Sequence, residues 1–132
     1  MAKVRLAKQL LAVTENKVGM LVEVCSDISG AGVNIQAINA YSIGDKANFR
    51  LLTDNNQRAN ELLTAKGYQV SEQEVVLVEL PNKVSVLKEA ADKLKSAGIN
   101  LEYIYGTTCS AGCECLLVFA SDNNAKAKEL LS

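Results

Sequence analysis

The sequence predicts an α+β protein of two tandem units, each of order β-α-β-β-α-β, with the second unit lacking its last strand. Three observations predict it. Short stretches recur at a fixed distance along the chain. Within each copy, apolar runs suited to buried strands alternate with apolar steps of three and four residues suited to helices. The second copy runs out of residues where its second helix ends.

The recurrence is in register over most of the 132 residues. Asn16-Lys17-Val18 returns as Asn82-Lys83-Val84, and Leu21 returns as Leu87. Gly32-Val33-Asn34-Ile35 returns as Gly98-Ile99-Asn100-Leu101, at the same offset of 66. Asp54-Asn55-Asn56 and Glu61-Leu62-Leu63 return as Asp122-Asn123-Asn124 and Glu129-Leu130-Leu131, now at 68. The second copy has therefore gained two residues between its second and third strands. The expected domains are residues 1–72, including an N-terminal extension, and residues 73–132. A unit of this size buries only about 60% of its unfolded surface and is marginal alone, so it needs a neighbour.

Each copy reads alike. Leu10–Val13 and Val75–Leu80 are short apolar runs, hence buried strands. The first helix of each copy follows. Val18, Leu21, Val22, Cys25 and Ile28 make one apolar stripe, and Val84, Leu87, Ala91 and Leu94 make the other. Asn16 and Asn82 stand where N-caps are expected, because an Asn side chain accepts from free N–H groups of a first turn. Gly32 and Gly98 stand where helix-ending glycines belong. Strands are expected over 33–42 and 99–107, then 48–53 and 114–120, with second helices over 56–66 and from 124 onward. A further strand begins near Tyr68. The resulting order is that of the ferredoxin-like split βαβ arrangement. Ser132 aligns with Thr64, so the second copy has no closing strand of its own. The residues before Lys8, or a strand from a second subunit, are the two candidates for that open edge. In 75–78 and 116–119 both alternating sets are apolar, so these strands are expected to be buried on both faces.

Composition removes several classes of function. The net charge is -1 with signs interspersed, which argues against a nucleic-acid surface. The chain has no histidine, so Ser-His and Cys-His nucleophile pairs and His-ligated metals are excluded. No apolar run approaches the roughly 18 residues of a membrane span, and the N-terminus lacks the apolar core of a signal peptide. The cysteines are expected as free thiols in a reducing cytoplasm. Cys109, Cys113 and Cys115 cluster around one turn, and three thiolates can bind a soft metal. Their spacing is not that of paired zinc ligands and no fourth ligand stands nearby, so no metal is expected. Cys115 aligns with Ala47, a small core-type residue, and Cys25 lies on the apolar helix stripe. The glycine-rich stretch 106–112 lacks a phosphate-loop pattern.

The turn Asn16-Lys17-Val18-Gly19-Met20-Leu21 followed by Gly32-Val33-Asn34-Ile35 resembles the ACT domain. The second copy has Asn82-Lys83-Val84-Ser85-Val86-Leu87 and Gly98-Ile99-Asn100-Leu101. The resemblance covers about Lys8 to Ser132 and implies a small regulatory protein of two ACT units that binds an amino acid without catalysis or cofactor. It implies a site between paired units, made by the turn of one and the strand start of the other. In the first copy these positions are Asn16, Val18, Gly19, Met20, Asn34 and Ile35. In the second they are Asn82, Val84, Ser85, Val86, Asn100 and Leu101. A homodimer or higher oligomer is expected, with a possible partner enzyme, and the charge pattern and short apolar runs leave no nucleic-acid or membrane partner expected. An alternative is an assembly module whose ligand sites are vestigial. Ser85 departs from the family's glycine. The physics suits an amino acid: helix N-terminal N–H groups attract its carboxylate, and an Asn side chain both donates and accepts.

Overall fold

The fold comes from a computed structural model that describes residues 3–107 and 114–132. The elements in order are β1 (Lys3–Glu15), α1 (Met20–Gly30), β2 (Ile35–Ile43), β3 (Lys46–Thr53), α2 (Asn56–Ala65), β4 (Gln69–Leu80), α3 (Val86–Ser96), β5 (Leu101–Thr107), β6 (Cys115–Ser121) and α4 (Asn124–Leu131). Lys8–Gln73 form one compact unit, here the continuous unit. Glu74–Ser132 form the other, the split unit, together with the opening residues of the chain.

In the continuous unit the strand order is β2-β3-β1-β4. β1 and β3 are antiparallel, with Leu10 opposite Leu51 and Ala12 opposite Phe49. Cross-strand partners share a face, and these four meet Met20, Val24 and Ile28 of α1 and Ala59 and Leu63 of α2 in one buried core. In the split unit the order is β1-β4-β6-β5. Val76, Val78 and Phe119 meet Ala90, Leu94, Ala127 and Leu131 there, and Val4 packs against them.

The position of Val4 bears on two expectations. Residues 3–7, counted on sequence with the first domain, belong to the unit of the second copy. They lie beside β4, the place that residues 69–73 take in the continuous unit. The second copy has no closing strand of its own, as expected, and the start of the chain, one of the two candidates, takes that edge.

Val75, Val76, Leu77 and Val78 are all buried, as are Val118 and Phe119, in line with strands apolar on both faces. The first helices differ from expectation. The buried face of α1 is Met20, Val24 and Ile28, whereas Val18, Leu21 and Val22 are exposed. α3 buries Ala90 and Leu94, and Val84 and Leu87 are exposed. Both sets on α1 run at three- and four-residue steps, so periodicity alone does not choose between them.

Helix ends follow the residues. After α1, the Gly32 N–H donates to Ser29 O and the Val33 N–H to Ile28 O, with Gly32 left-handed at φ 75°. That is a Schellman exit. α3 ends alike through Gly98 and Ile99, and α2 through Gly67 and Tyr68.

Candidate functional site

Two turns were singled out on sequence, and each is built without the expected cap. The N-cap of α1 is Gly19, at φ 86° and with no side-chain cap bond. The N-cap of α3 is Ser85, at φ 71° and equally uncapped. Asn16 and Asn82 are therefore not N-caps. Asn16 instead donates its backbone N–H to Asp45 O at 2.9 Å and its side-chain amide to Gly44 O at 3.4 Å, tying the turn to the β2–β3 hairpin. Asn82 accepts at Oδ1 from the Cys115 thiol at 3.5 Å. The capping asparagines are Asn55 and Asn123, which accept from Arg58 N–H and Lys126 N–H, each at 3.1 Å.

The consequence is a pair of open helix starts. Backbone turns occupy the N–H groups of Met20 and Glu23. Those of Leu21 and Val22 have no acceptor within the helix, as helix geometry requires. The same holds at Leu87 and Lys88, since Val86 and Glu89 N–H are taken by Lys83 O and Ser85 O. Such N–H pairs carry the positive end of the helix dipole. Gly19 reaches a left-handed backbone at little cost. Ser85 holds the same conformation with a side chain and is the one non-glycine residue at positive φ among the described residues.

The strand starts are matched too. Asn34 N–H donates to Asp54 Oδ1 at 2.9 Å, and Asn100 N–H to Asp122 Oδ1 at 3.1 Å. Their side-chain amides make no hydrogen bond among the described residues and are exposed. Ile35 and Leu101 pack against their cores, as do Met20 and Val86.

Within one unit the two halves of the predicted site lie apart. Asn16 is bonded to the hairpin where β3 begins, and Asn34 to Asp54 just past its end. The length of β3, about 25 Å at strand rise, separates them. Asn82 and Asn100 stand at the two ends of β6 in the same way. Exposed apolar residues lie on the helix side between these ends: Leu21 and Val22 on α1 and Ile38 on β2, an edge strand of its unit, whereas Tyr41 and Ile43 are exposed on the other face of β2. Leu87 on α3 and Ile104 on the edge strand β5 repeat the helix-side set. Sequence reasoning took the helical residues, Leu21, Val22 and Leu87, for core.

Charge differs between the turns. Lys17 lies 3.4 Å from Glu15 and 3.5 Å from Glu23, and these two carboxylates hold its pKa above the ordinary lysine value. Lys83 makes no ion pair among the described residues. It borders a cavity of about 380 Å³ together with Val84 and Val86.

Cys25 and Cys115 are free thiols. Cys109 and Cys113 lie outside the described residues, and no metal-ligand cluster occurs among the described ones. No helix of the described residues is long and apolar enough to cross a membrane.

Residues 6–132 match the ACT domain pair. The chain belongs to that family. The ACT domain pair is a regulatory, ligand-binding module, and that is the class of this chain. Comparison with curated proteins finds no match. Among solved structures, a protein from Bacteroides thetaiotaomicron is 26% identical, with a TM-score of 0.88 over 97% of this chain and 88% of that one. The ligand-free regulatory subunit of aspartate kinase from Thermus thermophilus is 16% identical, with a TM-score of 0.65 over 97% and 93%. E. coli aspartokinase III in complex with lysine and aspartate is 17% identical, with a TM-score of 0.59 over 98% of this chain and 31% of that one. At their identities the two kinases share the ACT-pair fold.

Proposed function

We propose that this ACT domain pair is a non-catalytic sensor of a free amino acid, bound between two copies of the chain in the cytoplasm. One observation carries the reading. Each unit has an uncapped helix start, an unbonded Asn side chain at the far end of its third strand, and exposed apolar residues on the helix side, Leu21, Val22 and Ile38 in one unit and Leu87 and Ile104 in the other. If two copies bury these residues antiparallel, the turn of one meets the strand start of the other. The N–H pair at Leu21 and Val22 then takes the carboxylate, and Asn34 of the second copy takes the ammonium or a polar side chain. Gly19 leaves room for the backbone to approach the ligand. The amino acids in the aspartokinase III complex support this ligand class, and a partner enzyme is the expected target of the signal.

Sedimentation and calorimetry of the intact chain test it. The chain is expected to self-associate, and Val22→Lys to weaken that association. One of the twenty amino acids is expected to stabilise the protein by about 2.7 kcal/mol at a hundred times its Kd. Self-association with no response to any amino acid favours the alternative, an assembly module with vestigial sites. A chain that neither associates nor responds sinks both.

A further inference from the structure

The internal repeat gives one surface a counterpart in the same molecule. α1 packs against α2 along one flank, where Asp27 lies 3.5 Å from Lys66. With Met20, Val24 and Ile28 turned to the core, the helical period puts Leu21, Val22, Cys25 and Ser29 on the opposite flank. Leu21, Val22 and Ser29 are exposed and Cys25 is half-buried. Ile38 of the edge strand β2 adds an exposed apolar side chain on the helix side. No charged residue stands among these five.

The counterparts in the split unit, at the offset of 66, are Leu87, Lys88, Ala91, Lys95 and Ile104. The leucine and the isoleucine are kept and stand equally open: Leu21 and Leu87 are 52% and 53% exposed, Ile38 and Ile104 41% and 43%. Between them the chemistry changes. Val22, itself 66% exposed, becomes Lys88, and Ser29 becomes Lys95. Lys88 holds Asp92 at 2.7 Å. Lys95 makes no ion pair among the described residues. The continuous unit folds alike with valine and serine at these places, so the fold itself does not require the lysines.

A two-fold axis sets a surface against its own copy and runs the paired helices antiparallel. Cys25 and Ala91 are the midpoints of α1 and α3. Crossing at Cys25 brings Leu21 and Val22 of one copy beside Cys25 and Ser29 of the other, all of them neutral. Crossing at Ala91 brings Lys88 of each copy beside Lys95 of the other. Like charges so placed repel, and burial strips their water. Asp92 supplies one carboxylate per copy for two lysines. Pairing the α1 flank with the α3 flank of another copy buries the same lysines against apolar side chains, and a head-to-tail contact of that kind does not close on two chains.

We propose that two copies join through the α1 flank of the continuous unit, and that Lys88 and Lys95 bar the α3 flank from pairing, so that assembly stops at a dimer. This rests on the interface proposed above and narrows it. Of the two repeated turns, the one that carries Gly19 then receives a strand start from the second copy, and the one that carries Ser85 does not.

Sedimentation of the full chain and its variants tests the proposal, with circular dichroism to check that each variant folds. Every changed position is exposed. The unaltered chain is expected as a dimer. Val22→Lys should weaken dimerisation about tenfold or more, and Leu87→Lys should leave it unchanged. The double variant Lys88→Val with Lys95→Ser, which writes the α1 flank onto α3, should assemble beyond the dimer. Adding Val22→Lys to that double variant should return a dimer, now joined through the split unit, which non-specific aggregation would not do. A double variant that stays dimeric, or a triple variant that does not return to a dimer, overturns the proposal and leaves the interface reading in place. So does an unaltered chain larger than a dimer, or a dimer broken by Leu87→Lys and not by Val22→Lys. A monomeric unaltered chain, or a dimer indifferent to both lysine substitutions, overturns the proposal and the interface reading together.

Discussion

The side-chain amide of Asn56 donates to the backbone carbonyl of Lys8 at 2.8 Å. Asn124 repeats the bond on Glu74 at 3.2 Å. Lys8 and Glu74 are the residues at which β1 and β4 pass from one compact unit to the other. Each Asn also accepts from a hydroxyl just before its helix, Thr53 at 2.6 Å and Ser121 at 2.8 Å. Asn56→Ala is expected to lower stability by about 1 kcal/mol, the usual net value of one such hydrogen bond. Asn124→Ala should match it in the split unit. Urea denaturation reads both; no loss in either variant would show the strands held without these clamps.

Ser85 and Gly19 hold the same left-handed backbone with and without a Cβ. The conformation costs a non-glycine residue roughly 1 kcal/mol. Ser85→Gly is therefore expected to raise the melting temperature, and Gly19→Ser to lower it. A neutral or destabilising Ser85→Gly would reveal a stabilising role for the hydroxyl.

Val4 is distant in sequence from the core it covers. Val4→Asp places a charge against the apolar cluster around Val78 and Phe119, and is expected to cost about 1–3 kcal/mol. The loss should be local. Hydrogen exchange should quicken in β6 well before it quickens in β3, and uniform quickening would contradict the assignment of Val4 to the split unit.

Tyr68 couples stability to alkaline pH. Its folded pKa is raised from the model-peptide value of 10.0, chiefly by burial. The unfolded chain therefore loses the phenolic proton first, and stability falls as pH rises from the unfolded value toward the folded one. Tyr68→Phe is expected to flatten the decline between about pH 9 and 11. A decline of equal slope in Tyr68→Phe would assign it to other groups, Lys17 among them.

Much of this molecule is legible in its sequence. The repeat locates every helix, and Gly32 and Gly98 mark helix ends because the exit needs a left-handed residue. Two things resist reading. α1 carries two apolar stripes of the same period, and only the tertiary fold decides that Met20, Val24 and Ile28 go inward. The repeat leaves two candidates for the second copy's open edge, and only the pairing of residues 3–7 with β4 chooses between them. Asn16 and Asn82 mislead for a related reason. Their side chains engage the hairpin side of the unit, at Gly44 O and the Cys115 thiol, instead of the helix that follows them.

The split unit also has a consequence in time. Residues 3–7 leave the ribosome long before β4 exists to pair with them, while every residue of the continuous unit lies within Lys8–Gln73. That stretch holds its own core, and domains fold as units during synthesis. The continuous unit can close first, with a short thread of alternating basic and apolar residues left hanging from its first strand. The thread waits for residues 74–80 of β4, and a chaperone or a second nascent chain has that interval in which to take hold of it.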